Sequence, residues 1–491
     1  MRKHPRNILE RWNLKARKLR LSYLRWQDAH FSQGVTLILI SLVIGLLTGV
    51  AAAVLKTLVR FLTSGILYGV PVNRPDIRFL IWPLAGILLT SIYKRYVCRE
   101  NITSGTSLIK RKLNAHDYHL SIYDIFNPIF GCSITMGLGA SGGTEGPTAM
   151  SGAAIGSCVA RWFRLSTPWR RLLLVIGAGA GIAAIFKSPI GGTLFTLEVL
   201  QMELTSLPIV ALIFACLIAS STAYALSHFT FDISFFHDLP VTGNFGWVIL
   251  LGVFCGFYSI YYSYTKRKAM TFFQAIKNPW LGAVATGVTL SISVFMFPVL
   301  FGEGFNVITD LVNGHFISFT DSGIFAGHIG PFWLLGCFIA VLLLKGILVA
   351  ASNSNGGIAG DFVPTFFAGA IAGALFAICI NHWFDAGLPI WYFALIGMGC
   401  VMGGTIHAPL MAIFLVCETT NTFQFMFAYI IAIFISYAVV KIITPKDWYS
   451  ETGSDDFQEL MKLRATPNIR ASLGLSEGSS KISDNSTPDQ K

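Results

Sequence analysis

Charged residues are scarce in this chain of 491 residues: Asp, Glu, Lys and Arg make up 12% of it, whereas hydrophobic residues make up 54%. A soluble domain of this length needs a more charged surface, so the composition excludes that class and favours a polytopic membrane protein. The nine cysteines are scattered through apolar runs without a CxxC pair, so they predict neither a disulfide framework nor a thiolate metal site. They are interpreted as small core residues.

Signals for bound metals and nucleotides are also lacking. The histidines at His315, His328, His382 and His407 are isolated in sequence, and none has a partner at a metal-ligand spacing. The glycines of GAGAG (177–181) resemble a nucleotide loop, but no strand or phosphate-binding Lys-Ser/Thr pair accompanies them, so close helix packing explains them better. No nucleophile–base pair can be assembled. The sequence therefore predicts a protein that is not an enzyme, with no metal and no cofactor, and a membrane-embedded enzyme is the rival hypothesis from another class.

The net charge of +11 does not predict a nucleic-acid partner, because Lys and Arg concentrate in the N-terminal arm and at the ends of apolar segments. Such placement sets membrane orientation. Residues 1–34 are interpreted as a basic interfacial helix on the cytoplasmic face. Residues 464–491 are polar and Ser-rich and are interpreted as a disordered cytoplasmic tail. Both termini are thus predicted to be cytoplasmic, in a multi-pass protein of the inner or plasma membrane.

Residues 35–463 are predicted to form one transmembrane domain whose partner is the lipid bilayer. The apolar segments that predict membrane helices are 35–55, 80–92, 247–264, 333–351 and 425–440. A span of ~30 Å needs about 20 helical residues, so the shorter segments predict tilted or re-entrant helices. The piece at 101–109 lies between two basic clusters and is predicted to be re-entrant. Glycine-rich stretches at 137–146, 177–192, 302–304, 356–360 and 403–404 predict helix breaks. Broken helices at matching places in two halves, roughly 35–228 and 244–463, predict a duplicated transporter with its site at the repeat interface.

Three loops in this domain predict a common site. They are Thr103–Thr106, Gly143–Pro147 and Gly360–Pro364, and each is a break followed by a plausible helix start. A proline in the first turn of a helix loses no hydrogen bond, so Pro147 and Pro364 indicate helix starts. Helix starts present free N–H groups and partial positive charge, which can hold a small anion without a full charge that would trap it. The second loop also carries a carboxylate, Glu145. The alternative, that the loops are ordinary kinks, stays open on spacing alone.

The residues of these loops resemble the CLC family of chloride channels and chloride/proton exchangers, without its cytoplasmic CBS domains. The family pattern GSGIP is similar to residues 103–107, G(K/R)EGP to 143–147, and GxFxP to 360–364. Further matches are GAGAGIAAIFKSPIGGTLFTLEV at 177–199, HAPL at 407–410, CETTNTFQ at 417–424, and Tyr449-Ser450. The resemblance covers roughly residues 35–463.

The resemblance implies an all-α homodimer in which each subunit has its own anion pathway and consists of two inverted halves. Glu145 would be the gate, occupying an anion position when ionised and moving away when protonated. The helix-start motifs would supply Gly143, Pro147, Gly360 and Pro364. The residues that the resemblance assigns to the anion are Ser104, Gly105, Gly146, Phe362, Val363 and Tyr449.

Departures from the family pattern bear on proton coupling. Proton-coupled members carry two successive glutamates at the inner end of the proton path, and the corresponding pair here is Glu198-Val199. Valine cannot relay protons, so Val199 favours channel-type or weakly coupled conduction, although some exchangers lack this glutamate. Glu203 as a substitute proton entry is a weaker alternative. Thr144 replaces the usual basic residue before the gate and removes positive charge from the outer mouth.

Asp361 places an acid beside a helix start meant for an anion. The favoured interpretation is that it caps the helix and points away from the pathway, and the alternative is a role in ion selection.

The sequence thus predicts transport of chloride or a similar small anion through a pathway gated by Glu145, of the voltage-gated chloride channel type or weakly proton-coupled. A chloride/proton antiporter is the alternative, and a fluoride exporter of the same fold is more remote.

Overall fold

The computed structural model describes residues 33–67, 76–98, 105–202, 206–227, 245–314 and 331–444, and this part of the chain is helical apart from one isolated β-bridge. A π-helical turn, Lys94–Cys98, extends the second helix. The helices, in chain order, are α1 Gln33–Leu67, α2 Arg78–Tyr93, α3 Gly105–Asn114, α4 Tyr123–Gly137, α5 Glu145–Trp162, α6 Thr167–Phe186, α7 Pro189–Glu198, α8 Ser206–Leu226, α9 Phe245–Gln274, α10 Pro279–Met296, α11 Phe305–Val312, α12 Pro331–Ser354, α13 Phe362–Phe384, α14 Ile390–Ile406, α15 Pro409–Thr420 and α16 Met426–Ile443.

The helices form two sets of eight that repeat one packing scheme. In the first set α1 packs on α8 and α5 on α6, and in the second α9 packs on α16 and α13 on α14. The sets meet where α2 packs on α10 and α7 on α15. The first set ends at Leu226 and the second begins at Phe245. The predicted bounds of the halves, 35–228 and 244–463, stay a prediction. The all-α fold with broken helices in two inverted halves is confirmed.

Eight of the described helices are long and apolar enough to cross a membrane: α1, α6, α8, α9, α10, α12, α13 and the stretch that ends in α16. The apolar segments predicted from the sequence all lie within helices. The short helices α7 and α15 have only 10 and 12 residues, too few to span ~30 Å of hydrocarbon. They pack on each other inside the bundle. The chain is a multi-pass integral membrane protein.

Glycines set the closest helix approaches in the core. A Cβ atom on Gly152 of α5 would overlap the carbonyl of Gly177 of α6, and one on Gly369 of α13 would overlap that of Gly397 of α14. The GAGAG stretch therefore lies inside a packed helix, as small residues do at membrane helix interfaces. The prediction of a break within 177–192 is confirmed, because α6 ends at Phe186 and α7 begins at Pro189. The prediction of a break at 403–404 is wrong, because α14 continues to Ile406. Lys187 and His407, which follow α6 and α14, are in the left-handed conformation.

Some predictions fall on residues outside the described ranges. They concern Ser104, Tyr449 and Glu203, nearly all of the basic segment at 1–34, and the tail at 464–491. The proposed domain boundaries at both ends therefore stay predictions. Of the re-entrant piece at 101–109, the described part begins at Gly105, where α3 starts.

Candidate functional site

Three helix starts converge near the middle of the bundle. Gly143 and Gly360, which precede α5 and α13, form an antiparallel bridge with N···O distances of 3.1 Å and 2.6 Å. The start of α3 lies against the same place, since a Cβ atom on Gly105 would overlap the carbonyl of Gly146. The structure therefore brings together two of the three loops that the sequence predicts to share a site, and with them Gly105, where the described part of the first loop begins. The backbone bridge joins one half of the chain directly to the other.

Glu145 is the first residue of α5 and its side chain is completely buried. One carboxylate oxygen, Oε1, accepts a hydrogen bond of 2.5 Å from the backbone N–H of Phe362, the first residue of α13. Among the described residues the other oxygen, Oε2, has no hydrogen-bond partner. The carboxylate thus takes the place of an anion at the positive end of α13. A helix N-terminus that binds a carboxylate can also bind a halide.

The carboxylate of Glu145 fits because two glycines leave room for it. For a Cβ atom on Gly143 or on Gly360, the three nearest heavy atoms would all belong to that carboxylate, the nearest at 2.0 Å and 2.1 Å. The glycines of both motifs are therefore explained by the space the side chain occupies, in addition to the bridge they form.

The two helices start in the same manner. Pro147 is the third residue of α5 and Pro364 is the third residue of α13, inside the first turn where proline removes no helical hydrogen bond. Both prolines and the intervening residues of each start are buried. Gly146, Phe362 and Val363 thus lie at the two helix starts as predicted. Their role in binding an anion stays a prediction, as do those of Ser104, Gly105 and Tyr449.

The residue before each helix start is held by a carboxylate–lysine pair. The hydroxyl of Thr144 donates to Oε1 of Glu303 at 2.5 Å, and Oε2 of Glu303 accepts from Nζ of Lys56 at 2.6 Å. Asp361 forms an ion pair with Nζ of Lys266 at 2.9 Å. Neither Thr144 nor Asp361 makes a side-chain hydrogen bond to its helix end.

The capping interpretation of Asp361 is therefore wrong. One oxygen of its carboxylate forms the ion pair with Nζ of Lys266, and the other accepts a hydrogen bond of 2.9 Å from Nδ2 of Asn353. Thr144 itself contacts Lys56 only through Glu303, and the Lys56–Glu303 ion pair carries no net charge.

Glu198 has a structural partner that sequence reasoning missed. Its carboxylate accepts hydrogen bonds of 3.1 Å and 2.7 Å from the N–H groups of Leu410 and Met411, at the start of α15. In return Glu418 near the end of α15 accepts from Ile190 at 3.1 Å, from Gly191 at 2.9 Å and from the hydroxyl of Ser188 at the start of α7. The equal spacing from Pro189 to Glu198 and from Pro409 to Glu418 was the signal for this reciprocal arrangement.

Val199 follows directly and is 4% exposed. Its side chain offers no titratable group at the position where exchangers carry the inner glutamate.

Lys345 is a second residue that sequence reasoning missed. It lies within α12 and is fully buried, with Nζ 2.8 Å from the hydroxyl of Ser141 and 4.2 Å from the ring centroid of Phe367. Ionisable residues at membrane depth are costly and are usually functional. A lysine inside the run LLLKGILV was the visible signal.

The fold and the site define a membrane transport protein of the CLC type. The family model described as voltage gated chloride channel matches residues 85–441, and the chain belongs to this family. Anion transport across a membrane is the function of the family.

Curated relatives and a solved structure agree with this assignment. The chain is 26% identical over 407 residues to a putative chloride channel protein ClcB-like of Ralstonia nicotianae, covering 78% of this chain and 87% of the relative. It is 27% identical over 332 residues to the H(+)/Cl(-) exchange transporter ClcA of Vibrio cholerae, covering 66% and 67%. The fold is similar to that of a slow cyanobacterial Cl-/H+ antiporter, with a TM-score of 0.73, 21% identity and coverage of 87% and 98%. The resemblance to the CLC family is confirmed.

Proposed function

We propose that the chain exchanges chloride, or a similar small anion, for protons. The observation that carries this proposal is the buried carboxylate of Glu145 bound to the N–H of Phe362. The name of the relative from Vibrio cholerae, an exchange transporter, supports exchange over the channel-type conduction that Val199 favoured, whereas the name of the relative from Ralstonia nicotianae is that of a chloride channel protein. The missing inner glutamate supports channel-type conduction, but it is one position only. The repeated occurrence of exchangers among related chains is stronger support for exchange.

In the proposed mechanism the carboxylate and the anion compete for one set of N–H groups. Ionised Glu145 holds the N–H of Phe362 and closes the pathway. When a proton neutralises the carboxylate, its hydrogen bond to that N–H weakens, because charge-assisted hydrogen bonds are about twice as strong as neutral ones. The side chain then leaves, and an anion takes the freed donors of α5 and α13. When the anion leaves, the carboxylate of Glu145 returns to the N–H of Phe362 and can release its proton to the other side of the membrane.

The rest of the proposed anion site consists of helix starts and hydroxyls. Gly105, Gly146 and Val363 would contribute backbone N–H groups, and Ser104 and Tyr449 would contribute hydroxyls. Partial charges of this kind replace the hydration shell of an anion and still allow it to leave.

We further propose a homodimer with one pathway in each subunit and with both termini in the cytoplasm. The many Lys and Arg residues of segment 1–34 support the cytoplasmic placement of the N-terminus. The inner or plasma membrane is the proposed location.

Reconstitution into liposomes tests the proposed exchange. A chloride gradient is imposed with potassium and valinomycin present, and chloride efflux and internal pH are recorded together. We expect chloride to drive protons uphill at a fixed ratio. Chloride efflux without proton movement would restore channel-type conduction, and absence of any anion flux would refute the proposed function.

A further inference from the structure

A cavity of about 240 Å³ lies where α2, α10 and the end of α12 meet. Its wall includes Lys94 and Arg95 after α2, Trp280 in the first turn of α10, and Asn355 and Gly356 after α12. Two cations and no carboxylate are thus found among the described residues that line it. This composition suits an anionic ligand.

The two cations are not neutralised by carboxylates of the described residues, whose ion pairs involve other side chains. The guanidinium carbon of Arg95 lies 5.7 Å from the ring centroid of Trp280. A guanidinium placed over an aromatic ring keeps its N–H donors for oxygen atoms, and their fork matches a phosphate group. Lys94 is only partly exposed and adds a second charge to the same cavity. Together they can bind one phosphate.

Close packing holds the neighbouring wall in place. A Cβ atom on Gly356, whose φ is 123°, would lie 1.9 Å from the hydroxyl oxygen of Ser91. Nδ2 of Asn355 donates to the carbonyl of Phe273 at 2.5 Å, and a Cβ atom on Gly282 would overlap that amide. The Ser91 hydroxyl has only a long contact of 3.5 Å with the carbonyl of Asn355. It is therefore a third donor for an anionic oxygen, in a wall that is already formed.

The surface beside the cavity is apolar and exposed. Ile92 on α2 and Leu281 and Val284 on α10 are exposed, and the two helices pack on each other. In a membrane protein such a surface contacts acyl chains. Tyr96 and Trp280 are also exposed, and aromatic residues of this kind are typical of the headgroup level of a bilayer. The cations thus lie where a lipid headgroup would meet the protein.

We propose that the cavity binds the phosphate of an anionic phospholipid headgroup, with Lys94 and Arg95 as its charged contacts and the acyl chains along α2 and α10. A soluble phosphate shares the first contacts but gains nothing from the apolar surface. Under the proposed orientation α1 crosses outward and α2 returns, so the cavity lies at the cytoplasmic leaflet, where basic pockets between helices bind anionic headgroups. The inference does not depend on the proposed exchange.

The test is lipid binding to the full-length protein in detergent, measured by native mass spectrometry. Dioleoyl phosphatidylglycerol is the anionic lipid and dioleoyl phosphatidylcholine the neutral one. We expect the wild type to bind phosphatidylglycerol more tightly than phosphatidylcholine. Lys94→Gln combined with Arg95→Gln should lower the phosphatidylglycerol affinity about 25-fold, because each cation near a membrane surface contributes a factor of about five. The phosphatidylcholine affinity should stay unchanged.

The matched control removes two exposed charges outside the cavity, by Lys268→Gln combined with Lys441→Gln. Lys268 lies 5.6 Å from the ring centroid of Tyr264, so its contact resembles that of Arg95 with Trp280. This control should bind phosphatidylglycerol as the wild type does. Arg95→Gln alone changes an exposed side chain and should lower the affinity about fivefold. It keeps the inference testable if the double variant does not fold.

Three results would overturn the inference. The first is equal phosphatidylglycerol affinity in the wild type and the cavity variants, and the second is an equal loss in the control, which would show an effect of net charge alone. The third is displacement of phosphatidylglycerol by an equal concentration of glycerol 3-phosphate, which would assign the cavity to soluble phosphates. Absence of chloride flux would refute the proposed function and leave this lipid site unaffected.

Discussion

The starts of α5 and α13 are built alike and differ in one side chain. Both follow a bridging glycine, both have proline as third residue, and both have an N-cap side chain engaged elsewhere. The first residue of α13 is Phe362, which offers only its N–H, whereas the first residue of α5 is Glu145, whose carboxylate accepts that N–H. The second half therefore supplies a fixed N–H donor, and the first half supplies a charged side chain that can bind this donor or move away from it.

Replacing the carboxylate of Glu145 should have the largest effect on transport, because it removes the one side chain in which the two helix starts differ. Glu145→Gln keeps the shape of the side chain and removes its charge permanently, which imitates the protonated state. We expect proton coupling and the pH dependence of chloride flux to be abolished while chloride flux itself continues. Liposome flux measured from acidic to alkaline pH is the readout. A variant without any flux, or one with the normal pH response, would contradict the assignment of Glu145 as the gate.

Filling the space of the carboxylate should have the next largest effect. The three heavy atoms nearest to a Cβ atom on Gly360 would all belong to the side chain of Glu145, so Gly360→Ala should displace the gate and leave the fold intact. Overpacking of this kind costs about 1–3 kcal/mol. At about 1.4 kcal/mol, near the lower end of that range, we expect about a tenfold rise in chloride flux at neutral pH.

Gly143→Ala should act in the same direction, because its Cβ atom would meet the same carboxylate. The matched control is Gly65→Ala in α1, where a Cβ atom meets nothing within 4 Å. Equal flux in Gly360→Ala and in this control would show that the carboxylate does not stand over Gly360.

The glutamates at the ends of α7 and α15 offer a contrast with Glu145 and should give the smallest effect on transport. Glu198→Gln and Glu418→Gln each weaken hydrogen bonds to a helix start, so each should lower the free energy of unfolding by about 1 kcal/mol. We expect the pH dependence of flux to stay as in the wild type. Thermal unfolding in detergent, paired with the flux assay, provides the measurement. A changed proton-to-chloride ratio in Glu198→Gln alone would assign Glu198 to the proton path.

Local signals in the sequence predicted the helix starts well. Contacts between positions far apart in the sequence could not be predicted from it. Proline in a first turn and glycine before it are local features, so the starts at Glu145 and Phe362 could be predicted from the motif itself. Lys56 and Glu303 are separated by 247 positions, and no pattern within either segment indicates that they meet beside Thr144. The ion pair between Asp361 and Lys266 could not be predicted for the same reason, because the two residues lie far apart in the sequence. Without that partner, a helix cap was the simplest interpretation of Asp361.

Glycine was the least reliable local signal for a break. In α6 and α14 it serves close packing, so the helices continue through it, whereas Gly143 and Gly360 lie outside helices and face the carboxylate of Glu145. The preference for channel-type conduction depended on the single residue Val199. One position carries less weight than a similarity to an exchange transporter that covers 66% of the chain.

Bromide bound to crystals of the wild type and of Glu145→Gln tests the central claim most directly, because its anomalous scattering locates the anion. The account predicts a bromide peak within hydrogen-bond distance of the Phe362 N–H in Glu145→Gln, and at the same bromide concentration no peak there in the wild type, where the carboxylate holds that donor. Bromide at this N–H in the wild type with the Glu145 carboxylate still in place, or no bromide there in either protein, would contradict it.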